Sequence, residues 1–401
     1  MKLIKIPEDK YYDYRLQAMF DCYKWDPQFY DNNTLAKYVL VLTKEENAEV
    51  IELTKKLDIE TRLAEEYLNK NIKVAKKLDL PKKILKQIPN MQNYNKNENI
   101  RFMRYDFHPS SNGKWIVTEV NSDVPGGFAE SSLLPNLARN VIDMPNLEYN
   151  SFGEKMVDSI NDLLNKKGTI MMVHCTCFSD DRQVMQYLGD RLEKEGYKVI
   201  YAAADHINFK KKKAYCILDN NQTSIDLIFR FTPLEWLIQI KSYNWKGYFN
   251  TLTKSCNHPI AIYAQSKRFP FVWNDLEQNG ISMKTWKELL PETIDVKDLG
   301  NKEGFIYKPV FGRVGEKISI KEACKDDEYL KIIQDVKKHP KQYLAQKKFE
   351  SIPLKGIDEE EYHVCLGSYT INGNHAGYYA RISALPRIDS YAADIPVLVE
   401  K

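Results

Sequence analysis

The chain has 401 residues, with 58 Lys and Arg against 55 Asp and Glu. That near balance gives no strong field for nucleic acid or an acidic membrane surface, and the length allows a large core in two or three subdomains. The seven cysteines are odd in number, scattered from Cys22 to Cys365 and without a CxxC pair, which excludes a disulfide framework or zinc knuckle and fits free thiols in a reducing cytosol. MKLIKIPEDKYY at the N-terminus lacks an apolar signal core, and no apolar run approaches the roughly 18 residues a membrane helix needs. A soluble, cytoplasmic protein is expected.

Residues 1–95 read as a mainly helical region. In ENAEVIELTKKLDIETRLAEEYLNKNIKVAKKL, the apolar positions Ile51, Leu53, Leu57, Ile59, Leu63, Tyr67 and Leu68 recur at roughly helical spacing, and Pro81 with the following PNMQNYNKNEN closes the region. Trp25 and Tyr30 are expected to anchor the first helices on the core.

Residues 96–150 contain a strand, a turn and a strand: FMRYDF alternates, SSNG supplies turn chemistry, and KWIVTEVNSD is again extended. On a two-residue period Arg104 and Asp106 share one face, as do Glu119 and Asn121. A hairpin would bring two carboxylates, an amide oxygen and a guanidinium to one point. Few, hard oxygen ligands suit Mg²⁺ carried in by a nucleotide, and an Arg beside them suits a phosphoryl group. A surface hairpin with a cross-strand ion pair would give the same alternation. In NSDVPGGFAE, Pro125, Gly126 and Gly127 allow a substrate to approach the backbone closely. Asp123, Gly126 and Glu130 are accordingly candidate substrate contacts.

Residues 151–265 alternate helices and strands. FGEKMVDSINDLLNKKG is helix, TIMMVHCTCF a buried strand in which Cys175 and Cys177 are expected to be buried, and DRQVMQYLGDRLEKEGYKVIYA helix then strand. IDLIFRF at 225–231 and HPIAIYA at 258–264 complete an open, mainly parallel sheet. Ligands favour the carboxyl ends of such strands. Ser179, Asp180 and Asp181 lie there, either as helix caps or as an acidic pocket for a cationic co-substrate. Glu235 and Trp236 either cap and pack or border the nucleotide. The basic run 210–213 reads as a solvated loop or helix end.

Residues 266–401 read as a nucleotide-covering part. Lys267 stands near a helix start. GFIYKPVFGRVGEKISI reads as strand, loop, strand, with Lys308 ending the first strand and Gly312 and Gly315 bracketing Arg313. Such a flap can turn backbone N–H groups to phosphate oxygens, although an ordinary hairpin looks alike. YLAQKKFESIPL reads as an extended edge whose backbone, helped by Gln346, could meet a base. Asn372-Gly373 marks a hairpin whose second strand ends in Arg381, and the tail carries Asp389 and Asp394.

The ordered set Arg104, Asp106, Glu119, Asn121, PLEW, Lys267, KPVFGRVG and Arg381 resembles the ATP-grasp C–N ligases of the glutathionylspermidine synthase family over essentially the whole chain. The resemblance implies an α/β (α+β) architecture: a circularly permuted ATP-grasp fold, with a pre-ATP-grasp-like layer and the magnesium-carrying strands placed before the nucleotide lid. It implies Asp106, Glu119 and Asn121 as ligands of two Mg²⁺ ions, and Arg104 and Arg381 on the transferred phosphoryl group. Lys267 and Lys308, with Gly312, Gly315 and Gln346, would hold ATP, and Arg313 would ride a mobile loop that closes over it. Val124 and Gly126 stand where the best-known members carry hydroxyls that hold the acyl substrate. The amidase of the bifunctional members is expected to be absent.

The expected reaction joins a small-molecule or peptide carboxylate to an amine through an acyl-phosphate, with Asp181 and Asp394 among the candidates for the ammonium co-substrate. A degenerate nucleotide-binding regulatory protein and a small-molecule kinase are the competing classes. No nucleic-acid or membrane partner is expected, and a homodimer is left open.

Overall fold

The computed structural model describes residues 1–218, 222–357 and 359–401. At its centre the hairpin strands Phe102–Pro109 and Trp115–Asn121 extend an antiparallel sheet made by Glu361–Ile371, Asn374–Ser383 and Ala393–Ile395. Strands distant in the sequence therefore lie side by side in one sheet, joined where Phe102–Pro109 pairs with Glu361–Ile371.

One face of that sheet is covered by the helix Lys44–Lys70. A capping box starts it: Glu46 N–H donates to Thr43 Oγ1 at 3.2 Å, and Thr43 N–H to Glu46 Oε2 at 2.9 Å. Its buried stripe is Val50, Thr54, Leu57, Thr61, Ala64 and Leu68, whereas Ile59 and Leu63 are exposed, contrary to the periodicity drawn through them. Threonines serve in the stripe because the sheet offers hydroxyl partners. Thr54 Oγ1 donates to Ser368 Oγ at 2.8 Å, and Asp58 Oδ1 accepts from Thr370 at 2.6 Å.

The N-terminal region is less purely helical than its pattern suggests. Tyr38–Leu42 is a fully buried strand between Lys2–Lys5, antiparallel, and Val397–Val399, parallel. Trp25 and Tyr30 do not anchor the core: they are 44% and 79% exposed.

A second sheet is wholly parallel, in the order Lys254–Cys256, Leu227–Arg230, Thr169–Val173, Lys198–Ala202. Helices Phe152–Leu164 and Ser179–Lys194 belong to this layer. The segment HPIAIYA is not its edge strand; the strand precedes it, and residues 259–265 form helical turns. Pro259 takes the first helical position, and His258 Nδ1 accepts the Ile260 N–H at 3.1 Å. All seven cysteines are free thiols, but Cys177 is exposed and Cys175 only half-buried, because the chain leaves the sheet at Val173. The basic run spans a hairpin turn between Ile207–Lys210 and Lys213–Cys216, with Lys211 and Lys212 at φ 48° and 62°.

A third, three-stranded sheet orders Thr293–Asp295, Tyr343–Lys347, Phe305–Pro309. Tyr343–Lys347 is its central strand, paired on both sides, and not an edge. The flap also differs from expectation: after Pro309 no second strand forms. Val314, Gly315 and Lys317 have φ of 50°, 66° and 54°, which an extended strand cannot hold, and the return contact is limited to Ser319, whose N–H donates to Tyr307 O at 3.1 Å and whose Oγ accepts the Tyr307 N–H at 2.7 Å. Among the described residues no helix is long and apolar enough to cross a membrane.

Candidate active site

The face of the central sheet opposite the helix Lys44–Lys70 floors a cleft of about 660 Å³, walled by the parallel layer on one side and by the three-stranded sheet with its loop on the other. Register places its central residues. Arg104 pairs with Asn121 and Asp106 with Glu119, after which a bulge shifts the ladder. All four side chains line the cleft. Gly367, paired with Asp106, makes room for them: a Cβ there would stand 2.6 Å from Arg104 Cδ.

Charge within this group is mutually held. Arg104 grips Asp106 through Nε at 2.8 Å and Nη2 at 3.1 Å, and Asn121 Nδ2 donates to Asp106 at 2.9 Å. The guanidinium also lies 4.9 Å from the Tyr379 ring centre and donates to the Gly126 carbonyl at 3.1 Å. Glu119 meets Lys267 at 2.9 Å. Burial alone would raise its pKa, but Lys267 and Lys308 outweigh burial and hold it down at about 2. The same closeness works against Lys308: burial first, then Lys267, push its ammonium down to about 8 although Glu119 opposes them. Two lysines share one carboxylate, an excess of positive charge suited to an anionic ligand.

A narrow recess adjoins this group, bounded by Thr118, Glu119, Lys267 and Lys308 and closed by Trp273, Trp286, Leu344 and Gln346. Gln346 Nε2 donates to Thr293 Oγ1 at 3.0 Å, and its backbone is committed to the sheet, so only the side of this strand faces the recess. Over the opposite rim runs the loop carrying Gly312, Arg313 and Gly315. Lys267 donates to the Gly312 carbonyl at 2.7 Å. Arg313 pairs with Glu235 at 2.7 Å and lies 5.7 Å from the Trp236 ring centre, and of these two PLEW residues Trp236 lines the cleft. Gly315, in the left-handed region, seats directly on the Ile388 carbonyl, where a Cβ would clash.

The far end is acidic. Arg381 donates to the Ala392 carbonyl at 3.2 Å and to the Asp389 carbonyl, and its Nε lies 3.7 Å from Asp394. Asp394 accepts from Tyr379 Oη at 2.6 Å. Asp181 accepts the Cys175 N–H at 3.3 Å; burial, and then Asp180, push its pKa up to about 6. Glu130 is pushed up to about 7, by burial first and then by Asp394 and Asp26 against the opposing pull of Lys24.

Asp123 is a correction. It is 0% exposed, off the cleft, and consumed by structure: Oδ1 pairs with the buried Arg230 and Oδ2 accepts the Leu234 N–H at 2.8 Å. Gly126 does line the cleft, yet its carbonyl is already taken by Arg104 and Tyr369. Sequence reasoning missed Lys24 and Asp26, which reach the acidic end from a segment whose aromatic residues drew attention instead. No local pattern marks them.

Among the described residues no group of three or more His, Cys, Asp and Glu side chains is placed to hold a metal ion. The hairpin offers two carboxylates and an amide, all hard donors and too few to enclose a cation. That donor set fits Mg²⁺ arriving with phosphate oxygens rather than a resident ion.

Two solved structures resemble this one. A glutathione synthetase-like effector from Globodera pallida, in its apo form, aligns with a TM-score of 0.63 at 13% identity, over 97% of this chain and 96% of its own; the likeness is one of fold. A protein assigned as a gamma-glutamylcysteine synthetase from Methylobacillus flagellatus aligns over 85% of this chain and 87% of its own at 12% identity, with a TM-score of 0.43. The family model described as glutathionylspermidine synthase preATP-grasp matches residues 13–400, in accord with the mixed α/β architecture. On that match, the chain belongs to the glutathionylspermidine synthase preATP-grasp family.

Proposed function

We propose that this protein is an ATP-dependent carboxylate–amine ligase that forms an amide through an acyl-phosphate. The supporting observation is the register that sets Arg104 and Asp106 against Asn121 and Glu119, with Lys267 and Lys308 beside them in one cleft. Lys267 and Lys308 bind the triphosphate, exchanging Glu119 for phosphate oxygens. Asp106, Glu119 and Asn121 would hold Mg²⁺, which neutralises phosphate charge there. Arg104 and Arg381 steady the phosphoryl group as the acid's carboxylate attacks the γ-phosphorus and ADP leaves. The amine then attacks the acyl carbon, the C–O bond to phosphate breaks, and the amine loses its proton. Closure of the Arg313 loop excludes water, so that the acyl-phosphate meets the amine rather than hydrolysis.

The cleft's lining, basic at one end and acidic at the other, supports two co-substrates. Its acidic end, with Glu130, Asp181 and Asp394, suits the amine, and Val124 with Gly126 supplies an apolar, side-chain-poor wall for the acid. The test is ADP release from Mg·ATP with glutathione or short peptides, with and without spermidine or other amines, and mass detection of products. The ligase reading requires release that depends on an acid and a product at the summed mass of acid and amine less water. A stable phosphorylated product would replace it with a kinase.

A further inference from the structure

We infer that Glu235 is a clasp for Arg313: the pair pins the loop 310–318 across the cleft, and Arg313 positions this lid rather than contacting the triphosphate. The inference rests on the ligase reading only for what the lid does to turnover.

A guanidinium between two glycines on a loop over a basic cleft is well placed to seek phosphate, but this one is already engaged. Arg313 Nη2 and Nε both donate to Glu235 Oε1, at 2.7 and 3.2 Å, and the group lies 5.7 Å from the Trp236 ring centre. Of these two partners only Trp236 lines the cleft, so the Glu235 carboxylate serves the protein and not a ligand. The side chains of Glu235 and Arg313 are 12% and 23% exposed, and Glu235 Oε2 is buried without a hydrogen-bond partner. Lifting the loop would therefore strip a largely desolvated carboxylate of the bonds it has, which favours the closed position. Asp181, on the same wall, feels the Arg313 charge, but its carboxylate accepts the Cys175 N–H.

The clasp joins the two walls of the cleft. Glu235 follows the strand Leu227–Arg230 of the parallel layer, whereas Arg313 follows Phe305–Pro309 of the three-stranded sheet. The foot of the loop is fixed separately, by the Lys267 N–H on the Val310 carbonyl at 3.1 Å and the Lys267 ammonium on the Gly312 carbonyl at 2.7 Å. Beyond Arg313, Gly315 rests on the Ile388 carbonyl. Glu235 thus holds the stretch between these two seats. Where the clasp is lost, water reaches the acyl carbon in place of the amine and the C–O bond to phosphate breaks. Acid and inorganic phosphate result, with one ATP consumed and no amide formed.

Thermolysin, which cuts before apolar residues such as Phe311 and Val314, reads loop opening in the full chain without ligand. Cleavage within 310–318 follows the open population. Glu235→Gln and Arg313→Gln each speed it by about tenfold, the scale of one charge-assisted pair. The double variant is no faster than either single one, because both remove the same interaction. A rate within about twofold of wild type in Glu235→Gln, or gains that multiply in the double variant, overturns the clasp. Titration with Mg²⁺ and a non-hydrolysable ATP analogue separates clasp from phosphate contact. Affinity moves by less than about threefold in both single variants, whereas a loss of about tenfold or more confined to Arg313→Gln puts Arg313 on phosphate and overturns the inference. In turnover both variants raise the ADP released per amide formed, and an unchanged ratio overturns the lid's part in excluding water. Cleavage and titration need no amide product, so they decide the clasp even where no acid and amine are joined, a result that would instead remove the ligase reading.

Discussion

Lys308 gives the sharpest pH-dependent test. It is buried beside Lys267 and Glu119, and burial with the neighbouring ammonium pushes its pKa down to about 8. A bound triphosphate adds negative charge next to it and returns the pKa to or above the ordinary lysine value near 10.4. The folded protein without ATP then carries about half a proton on Lys308 at pH 8, about 0.9 at pH 7 and about 0.1 at pH 9. Binding fills the vacancy. Proton uptake is therefore about 0.1 at pH 7, about 0.5 at pH 8 and about 0.9 at pH 9. By linkage, affinity falls as pH rises above about 8, approaching tenfold per pH unit until the bound-state pKa is reached. Calorimetry of ADP or a non-hydrolysable ATP analogue with Mg²⁺, in buffers of different ionisation enthalpy, reads the uptake directly as a slope. In Lys308→Met the uptake disappears. A wild-type slope near zero at pH 8, or the same slope in Lys308→Met, refutes the placement of Lys308 on phosphate.

Glu119→Gln removes a charge and little volume; ADP formation is expected to fall by at least about a hundredfold with the melting temperature nearly unchanged, and near-normal turnover would remove Glu119 from the nucleotide site. Asp123→Ala is expected to act through the fold, costing about 3–5 kcal/mol in denaturant unfolding because it leaves buried Arg230 unpaired, and a stability change below about 1 kcal/mol contradicts the structural role. Gly315→Ala strains a left-handed position against the Ile388 carbonyl, by about 1–3 kcal/mol, so the loop lifts. Limited proteolysis should cut 310–318 sooner in that variant, and an unaltered cleavage pattern counts against the seating of the loop.

The hairpin was legible in the sequence because a two-residue period and a turn fix facing residues without knowledge of anything else. The parallel layer was legible for a similar reason, since alternating helix and strand patterns admit few arrangements. Long-range pairing was not. Tyr38–Leu42 lies between the first and last strands of the chain, and no local pattern in a mostly helical region announces that partner. HPIAIYA and KISI looked extended by composition, but a proline at a helical first position and three left-handed residues in the loop decided otherwise. Asp123 illustrates the limit for sites. Its neighbourhood was informative, yet only the fold shows that Arg230, far along the sequence, takes its carboxylate. Lys24 was missed for the same reason: its three acidic partners come from three separate segments.

Isotope transfer tests the central claim most directly. An acid substrate carrying heavy oxygen in its carboxylate is turned over with Mg·ATP and an amine, and the released inorganic phosphate is weighed by mass spectrometry. An acyl-phosphate intermediate places one labelled oxygen in each phosphate released, because the carboxylate oxygen leaves with phosphorus when the amine attacks. Unlabelled phosphate accompanied by amide product would contradict the acyl-phosphate route.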